Sequence, residues 1–274
     1  MGLILSPDVK LRGDNDRAVL FSVNPVDSIE EPVFRFLYPQ HAVILTMFDG
    51  QRDFDEVIEA VSYLFDIDIE TASQNVEALL DFPVNKNKTI RSLIVDASAV
   101  GSKRVRLYDP NDFIFPADKI DMSSVRCKTP CSLIVLPTMR CVTSCVYCYA
   151  DREGTHGQSE FSPQLYKRLL GEAKECGIET IEISGGDLFC REDAFGLIQC
   201  TLEEGMYLTI PTKYPLSRDH VNLLAKMGLS TIQLSIDALS PDIIDRMVAR
   251  SGYGKKILKT LDYLGEVGIQ VRTN

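Results

Sequence analysis

No apolar run in the sequence approaches the roughly 20 residues that a membrane-spanning helix requires, which argues against a helical membrane protein. An export signal is missing too. The opening MGLILSPDVKLRGD has a short apolar patch broken by Pro7 and charges, without a basic start or a small-residue cleavage site. Gly2 does not make an acylation signal, because Pro7 stands beside the Ser6 that would complete it. Positive charge is in deficit, with a formal net charge of -10 at pH 7. That argues against a non-specific nucleic-acid binder, whose basic face would displace counterions from phosphates. The three histidines form no ligand spacing: His41 and His220 read as helix-start residues and His156 as loop surface. What remains is a 274-residue chain, 45% hydrophobic and 25% charged, the balance expected of a soluble cytoplasmic protein with one large or two ordinary domains.

Cysteine, by contrast, is plentiful, with eight residues. Without an export signal, disulfides are not expected in a reducing cytosol, so a cysteine cluster points to metal or redox chemistry.

Along the chain, LILSPDVKLRG, RAVLFSVNP and PVFRFLYP are short runs of Val, Ile, Leu and Phe separated by Gly, Asn, Asp and Pro, the pattern of three strands joined by turns. From His41 the apolar period becomes helical through Phe48 and stops at Asp49-Gly50. It resumes at Phe54 behind Asp53 as a cap, and again from Ile69 to Leu80. Three strands followed by three helices predict an α+β winged-helix-like unit over 1–84. The stretch 85–124 is irregular and reads as a connector. Over 125–274, strand-like SLIVLP (132–137), ETIEISGG (179–186), MYLTIPT (206–212), STIQLSID (230–237) and IQVRTN (269–274) alternate with helix-like segments, predicting an α/β unit with a parallel sheet. In β/α barrels the chemistry collects in the loops at the carboxyl ends of the strands.

One such loop, MRCVTSCVYCYADR, holds Cys141, Cys145 and Cys148 in C-x3-C-x2-C spacing. Three thiolates can bind three of the four irons of a cubane cluster, leaving the fourth for a non-protein ligand. Structural zinc is the alternative, although a closed zinc site takes four ligands in two separated pairs, whereas here three crowd one loop. Cys127 and Cys131 form a second C-x3-C without a third partner and read as reduced loop or core thiols. Cys176 and Cys200 read as buried helix residues, and Cys190 as a thiol able to face the loop.

The C-x3-C-x2-C loop, Tyr147 before its third cysteine, and Ser184-Gly185-Gly186-Asp187 ending the second strand together resemble the radical S-adenosylmethionine (SAM) superfamily. The resemblance implies a 4Fe-4S cluster on Cys141, Cys145 and Cys148 whose open iron chelates SAM, and reductive cleavage to a 5'-deoxyadenosyl radical that takes a hydrogen atom from the substrate. By the same resemblance Tyr147 lies by the adenine, Ser184, Gly185 and Gly186 line the site, and Asp187, where the family usually has Glu, receives the methionine amino group. Thr212, Lys213, Ser235 and Asp237 match positions that contact the ribose and carboxylate. Arg246 or Arg250 stands in for a family arginine, and Cys190 is a candidate catalytic thiol that returns a hydrogen atom. A flavodoxin or ferredoxin is the implied electron donor.

The segment PQHAVILTMFDGQRDFDEVIEAVSYLFDIDIETASQNVEALL resembles the PqqD-like recognition element beside or fused to enzymes that modify ribosomally made peptides. There a disordered leader peptide adds as a strand to the sheet edge and lies against the third helix. The joint implication is a cytoplasmic peptide maturase making a thioether, a carbon-carbon crosslink or an epimerised residue. A radical SAM enzyme on a non-peptide substrate and a catalytically incomplete peptide-binding protein are the alternatives. Family barrels have six β/α units and many maturases carry auxiliary iron-sulfur clusters, so five strands suggest a partial (β/α)6 barrel truncated after the fifth, in a chain that is either a fragment or a shortened, inactive form.

Overall fold

The computed structural model describes residues 2–23, 32–101, 105–148 and 160–273. His156 lies outside them. The chain divides into two units, Met1–Thr129 and Pro130–Asn274.

In the first unit Pro7 interrupts the opening run, and the single expected strand becomes two: β1, Leu3–Leu5, and β2, Val9–Gly13. β2 continues through β3, Ala18–Ser22, to β4, Phe34–Leu37, in an antiparallel sheet ordered β2-β3-β4. Helix α1, Pro39–Thr46, begins on a proline at its first turn, where the missing N–H costs nothing. Helix α2, Phe54–Phe65, starts on a reciprocal capping box in which Asp53 accepts from the Glu56 N–H and Glu56 accepts from the Asp53 N–H. It ends on Asp66 in the left-handed conformation. Helix α3, Ile69–Leu80, is capped by Asp68. Val57, Ile58 and Val61 of α2 and Ala72, Val76 and Leu79 of α3 are buried in one core, at about 1.5–3 kcal/mol for each large side chain.

The stretch 85–124 corrects the expected connector. Its strand β5, Ile94–Asp96, pairs antiparallel with β1, and Phe113 is buried in the same core. Arg17, fully buried, donates to the carbonyls of Asp121, Ser124 and Arg126, while the Asp14 carboxylate accepts from the N–H groups of Lys128 and Thr129. The first unit therefore extends to Thr129 because its own buried charges bind that segment's backbone.

The second unit alternates β6 (Ser132–Thr138), α4 (Pro163–Glu175), β7 (Thr180–Gly185), α5 (Ala194–Glu203), β8 (Tyr207–Thr209) and β9 (Pro211–Thr212). Then follow α6 (Arg218–Lys226), β10 (Thr231–Leu234), α7 (Pro241–Met247), α8 (Tyr253–Glu266) and β11 (Gln270–Arg272). Every strand pairing here is parallel. Two differences from expectation stand out. The third strand breaks at Ile210 into β8 and β9, so among the described residues β6-β7-β8 and β9-β10-β11 are two three-stranded sheets rather than one continuous parallel sheet. A short helix, α7, also occupies the stretch before α8. One continuous core fills the unit, with Ile181, Ile183, Leu197, Ile198, Ile232 and Leu234 all buried. Cys176, expected to be buried, is exposed at the C-terminal cap of α4.

Candidate metal and cofactor site

The three-cysteine loop leaves the carboxyl end of β6 and is held from two sides by main-chain bonds. On one side the Gly186 N–H donates to the Thr138 carbonyl at 2.9 Å and the Asp187 N–H to the Arg140 carbonyl at 2.7 Å. On the other, Ser144 N–H donates to the Val248 carbonyl at 3.1 Å and Val146 N–H to the Met247 carbonyl at 3.0 Å. Arg250 adds a side-chain bond of 2.5 Å to the Val142 carbonyl.

This geometry explains the double glycine. A Cβ on Gly186 would stand 2.1 Å from the Arg140 carbonyl oxygen, and one on Gly185, whose φ is +105°, 2.7 Å from that of Thr138. Both glycines are required by the backbone of the cysteine loop itself. Asp187 is likewise drawn inward. Its buried carboxylate accepts from the Phe189 N–H at 3.1 Å, Thr212 Oγ1 at 2.8 Å and the Lys213 N–H at 2.9 Å, tying the turn after β7 to the end of β9. Burial raises its carboxyl above the ordinary range, those donors opposing the shift. The side chain expected to receive an amino group already accepts three hydrogen bonds from the protein, one on Oδ1 and two on Oδ2.

Within the loop, Thr143 is buried and its hydroxyl lies 3.2 Å from Cys141 Sγ and 3.4 Å from Cys145 Sγ, so those two thiols share one face. The Cys148 N–H closes a turn onto the Cys145 carbonyl at 3.1 Å, and Cys148 is exposed. Among the described residues no three Cys, His or carboxylate side chains are gathered into one metal-binding group. The donor chemistry nevertheless fits a cluster with an open position: three thiols, no competing carboxylate among their hydrogen-bond partners in the described residues, and a backbone anchored on both flanks.

Tyr147, Lys213, Ser235 and Asp237, distant in sequence, come together. Tyr147 hydroxyl donates to Asp237, Lys213 Nζ lies 2.9 and 3.0 Å from the two Asp237 oxygens and 3.1 Å from the Ser235 carbonyl, and Lys213 Nζ stands 5.5 Å from the Tyr147 ring centre. Ser184 is half-buried in β7. Arg246 is exposed on α7, and of the two arginines left open by the sequence it is Arg250 that reaches the cysteine loop. Cys190 is half-buried, and burial, together with the nearby Asp187 and Cys141, pushes its thiol up to about 12.

Sequence reasoning missed several supporting residues. Arg191, buried, donates to the carbonyls of Pro137 and Phe161, both at 2.8 Å, and to Asp193. Glu160 accepts from Thr138 and Arg140. These bonds tie the segment returning to α4 against β6. Thr143, lying between two cysteines, was legible; Arg191 and Glu160 carried no pattern.

The site is thus a thiol-bearing loop at the carboxyl end of the first strand of an α/β unit. The radical SAM superfamily model matches residues 135–274, and the chain belongs to that superfamily. PqqA peptide cyclase from Rhodopseudomonas palustris is 30% identical over 146 residues, covering 53% of this chain and 39% of the relative. Fe-coproporphyrin III synthase from Methanosarcina barkeri is 30% identical over 135 residues, 49% of this chain and 34% of the relative. The aligned part is thus well under half the length of these relatives. Among solved structures, Streptococcus suis SuiB bound to SAM superposes with a TM-score of 0.63 at 19% identity, covering 99% of this chain and 56% of SuiB. SuiB bound to precursor peptide SuiA gives 0.61 at 20% identity with the same coverage. Both likenesses concern the fold.

Proposed function

We propose that this chain carries the SAM-cleaving part of a leader-guided peptide maturase. The observation that supports this best is the extent of the fold match. The likeness to SuiB covers 99% of the chain, and so includes the first unit as well as the superfamily region, and SuiB has been solved with a precursor peptide. The curated relatives match about half of the chain.

When bound on Cys141, Cys145 and Cys148, a 4Fe-4S cluster with SAM would supply one-electron cleavage to a 5'-deoxyadenosyl radical, with a flavodoxin or ferredoxin as electron donor. The chain's own residues do the positioning. Gly185 and Gly186 seat the loop, Thr143 orients two thiols, and Ser184, Lys213, Ser235 and Asp237 line the side from which SAM would approach Tyr147. Cys190, beside the loop, is the candidate thiol for returning a hydrogen atom if the product is an epimer. Auxiliary iron-sulfur clusters belong to the same reading.

The first unit is the PqqD-like leader-recognition element in this reading. No described strand pairs with the outer edge of β4. Ser22 N–H donates to the Val33 carbonyl, so Val33 and Arg35 face β3, and Phe34 and Phe36 turn their backbone groups to the open edge. Arg35 also donates to the Pro83 carbonyl just beyond α3, bringing that helix end beside the strand. A leader adding at this edge would gain main-chain pairing and meet Phe34 and Tyr38, both partly exposed.

The test is anaerobic reconstitution of the full chain with iron and sulfide, then SAM and a chemical reductant. The expected result is brown cluster absorbance, lost in Cys145→Ala, and SAM-dependent 5'-deoxyadenosine. No 5'-deoxyadenosine would overturn catalysis by this chain. Selection of displayed random peptides on the same full chain tests recognition: enrichment is expected to vanish when the β4 edge is blocked.

A further inference from the structure

The cysteine loop is not held equally along its length. The stretch carrying Cys141 and Cys145 is pinned by main-chain bonds at Arg140, Ser144 and Val146. Cys148 lies beyond the last of these. Its N–H turns back onto Cys145, inside the loop, and gives that end no purchase on the sheet. Among the described residues, the contact that does is the side chain of Tyr147, reaching Asp237 beyond the end of β10.

Asp237 is itself fixed. Lys213 spans both its oxygens and the Ser235 carbonyl, which uses the three donors of an ammonium group, and both side chains of the pair are largely covered, at 15% and 16% exposure. The same ammonium lies near the Tyr147 ring, an arrangement attractive for a cation. Lys213 is in turn held at both backbone ends: its N–H donates to buried Asp187 and its carbonyl accepts from the Tyr253 hydroxyl. A chain of bonds therefore runs from the Gly185-Gly186-Asp187 turn through Lys213 and Asp237 to Tyr147.

We infer that Lys213 and Asp237 form a latch that grips Tyr147 and so sets the third-cysteine end of the loop. Asp187 is the post on which it is mounted. Lys213 is a positioning residue that acts on the loop through Tyr147, and the proposed function enters only where cluster retention is measured.

Hydrogen-deuterium exchange on the cluster-free full chain tests the latch directly. Tyr147→Phe removes one hydroxyl from a half-exposed residue and leaves the fold intact. It is expected to speed amide exchange of the peptide covering 144–148 about tenfold, the scale of one charge-assisted hydrogen bond lost. Lys213→Gln is expected to speed it in the wild-type background and to add nothing in the Tyr147→Phe background. A lysine with only a general structural role would add the same increment in both backgrounds, and that result, or unchanged exchange in Tyr147→Phe, overturns the latch. In the reconstituted protein, Tyr147→Phe is expected to lose its cluster to a chelator about tenfold faster, on the same scale. Wild-type chain that takes up no cluster would defeat the proposed function instead, and the exchange result would still decide the latch.

Discussion

Asp187 and Thr212 are joined by a 2.8 Å hydrogen bond between a buried carboxylate and a buried hydroxyl, linking the turn after the second strand to the end of the third. Thr212→Val keeps the branched shape that suits a strand and removes both the donor to Asp187 and the acceptor of the Tyr214 N–H. Because a hydrogen bond to a charged group contributes about 1.5–3 kcal/mol, the variant is expected to lose about 2 kcal/mol in urea unfolding. An unchanged midpoint would mean that the two bonds of the Thr212 hydroxyl contribute nothing net.

The two glycines that look interchangeable by composition are expected to diverge. Gly186→Ala drives a Cβ into the Arg140 carbonyl and should cost about 2–3 kcal/mol and displace the cysteine loop. Gly196→Ala, on the exposed face of α5 with nothing within 4 Å, should gain about 0.5–1 kcal/mol by restricting the unfolded chain. Paired thermal melts read the contrast, and equal effects of one sign would refute it.

Arg191→Ala should destabilise by about 3 kcal/mol, since it strips donors from two carbonyls and leaves Asp193 unpaired. Arg191→Lys should not restore the loss, because one ammonium cannot reproduce the guanidinium fork that serves Pro137, Phe161 and Asp193 together. Full recovery in the lysine variant would show that charge, not geometry, is what matters there.

Hydrogen bonding to Arg191 holds the Asp193 carboxyl below its ordinary range. With the folded-state value depressed, the unfolded chain takes up the proton first as pH falls. The contribution is therefore present above the unfolded value of about 4 and is lost as pH drops through the folded one. Asp193→Asn should melt lower than wild type at neutral pH and converge with it in acid. Parallel curves would contradict this.

Phe34→Pro removes an outward-facing N–H from the β4 edge while the Val33 and Arg35 bonds to β3 persist. Displayed-peptide enrichment should fall to background with the melting of the first unit little changed. Undiminished enrichment would move the recognition surface elsewhere.

Local chemistry was legible from the sequence alone. Three cysteines within eight residues lie close together whatever the fold, Asp53 marks a helix start by capping orphan N–H groups, and apolar periodicity locates α2, α3 and most strands of the second unit. Only tertiary structure decided how those pieces are used. Gly186 is needed because the Arg140 carbonyl comes within reach of it, Asp187 faces inward because Thr212 and Lys213 arrive from a different strand, and Arg250 rather than Arg246 meets the cysteine loop. The stretch 85–124 likewise joined the first unit because its strand Ile94–Asp96 pairs with Leu3–Leu5 and buried Arg17 takes the carbonyls of Asp121 and Ser124, more than a hundred residues away. Such pairings depend on which strand lies beside which, and sequence spacing carries no record of that.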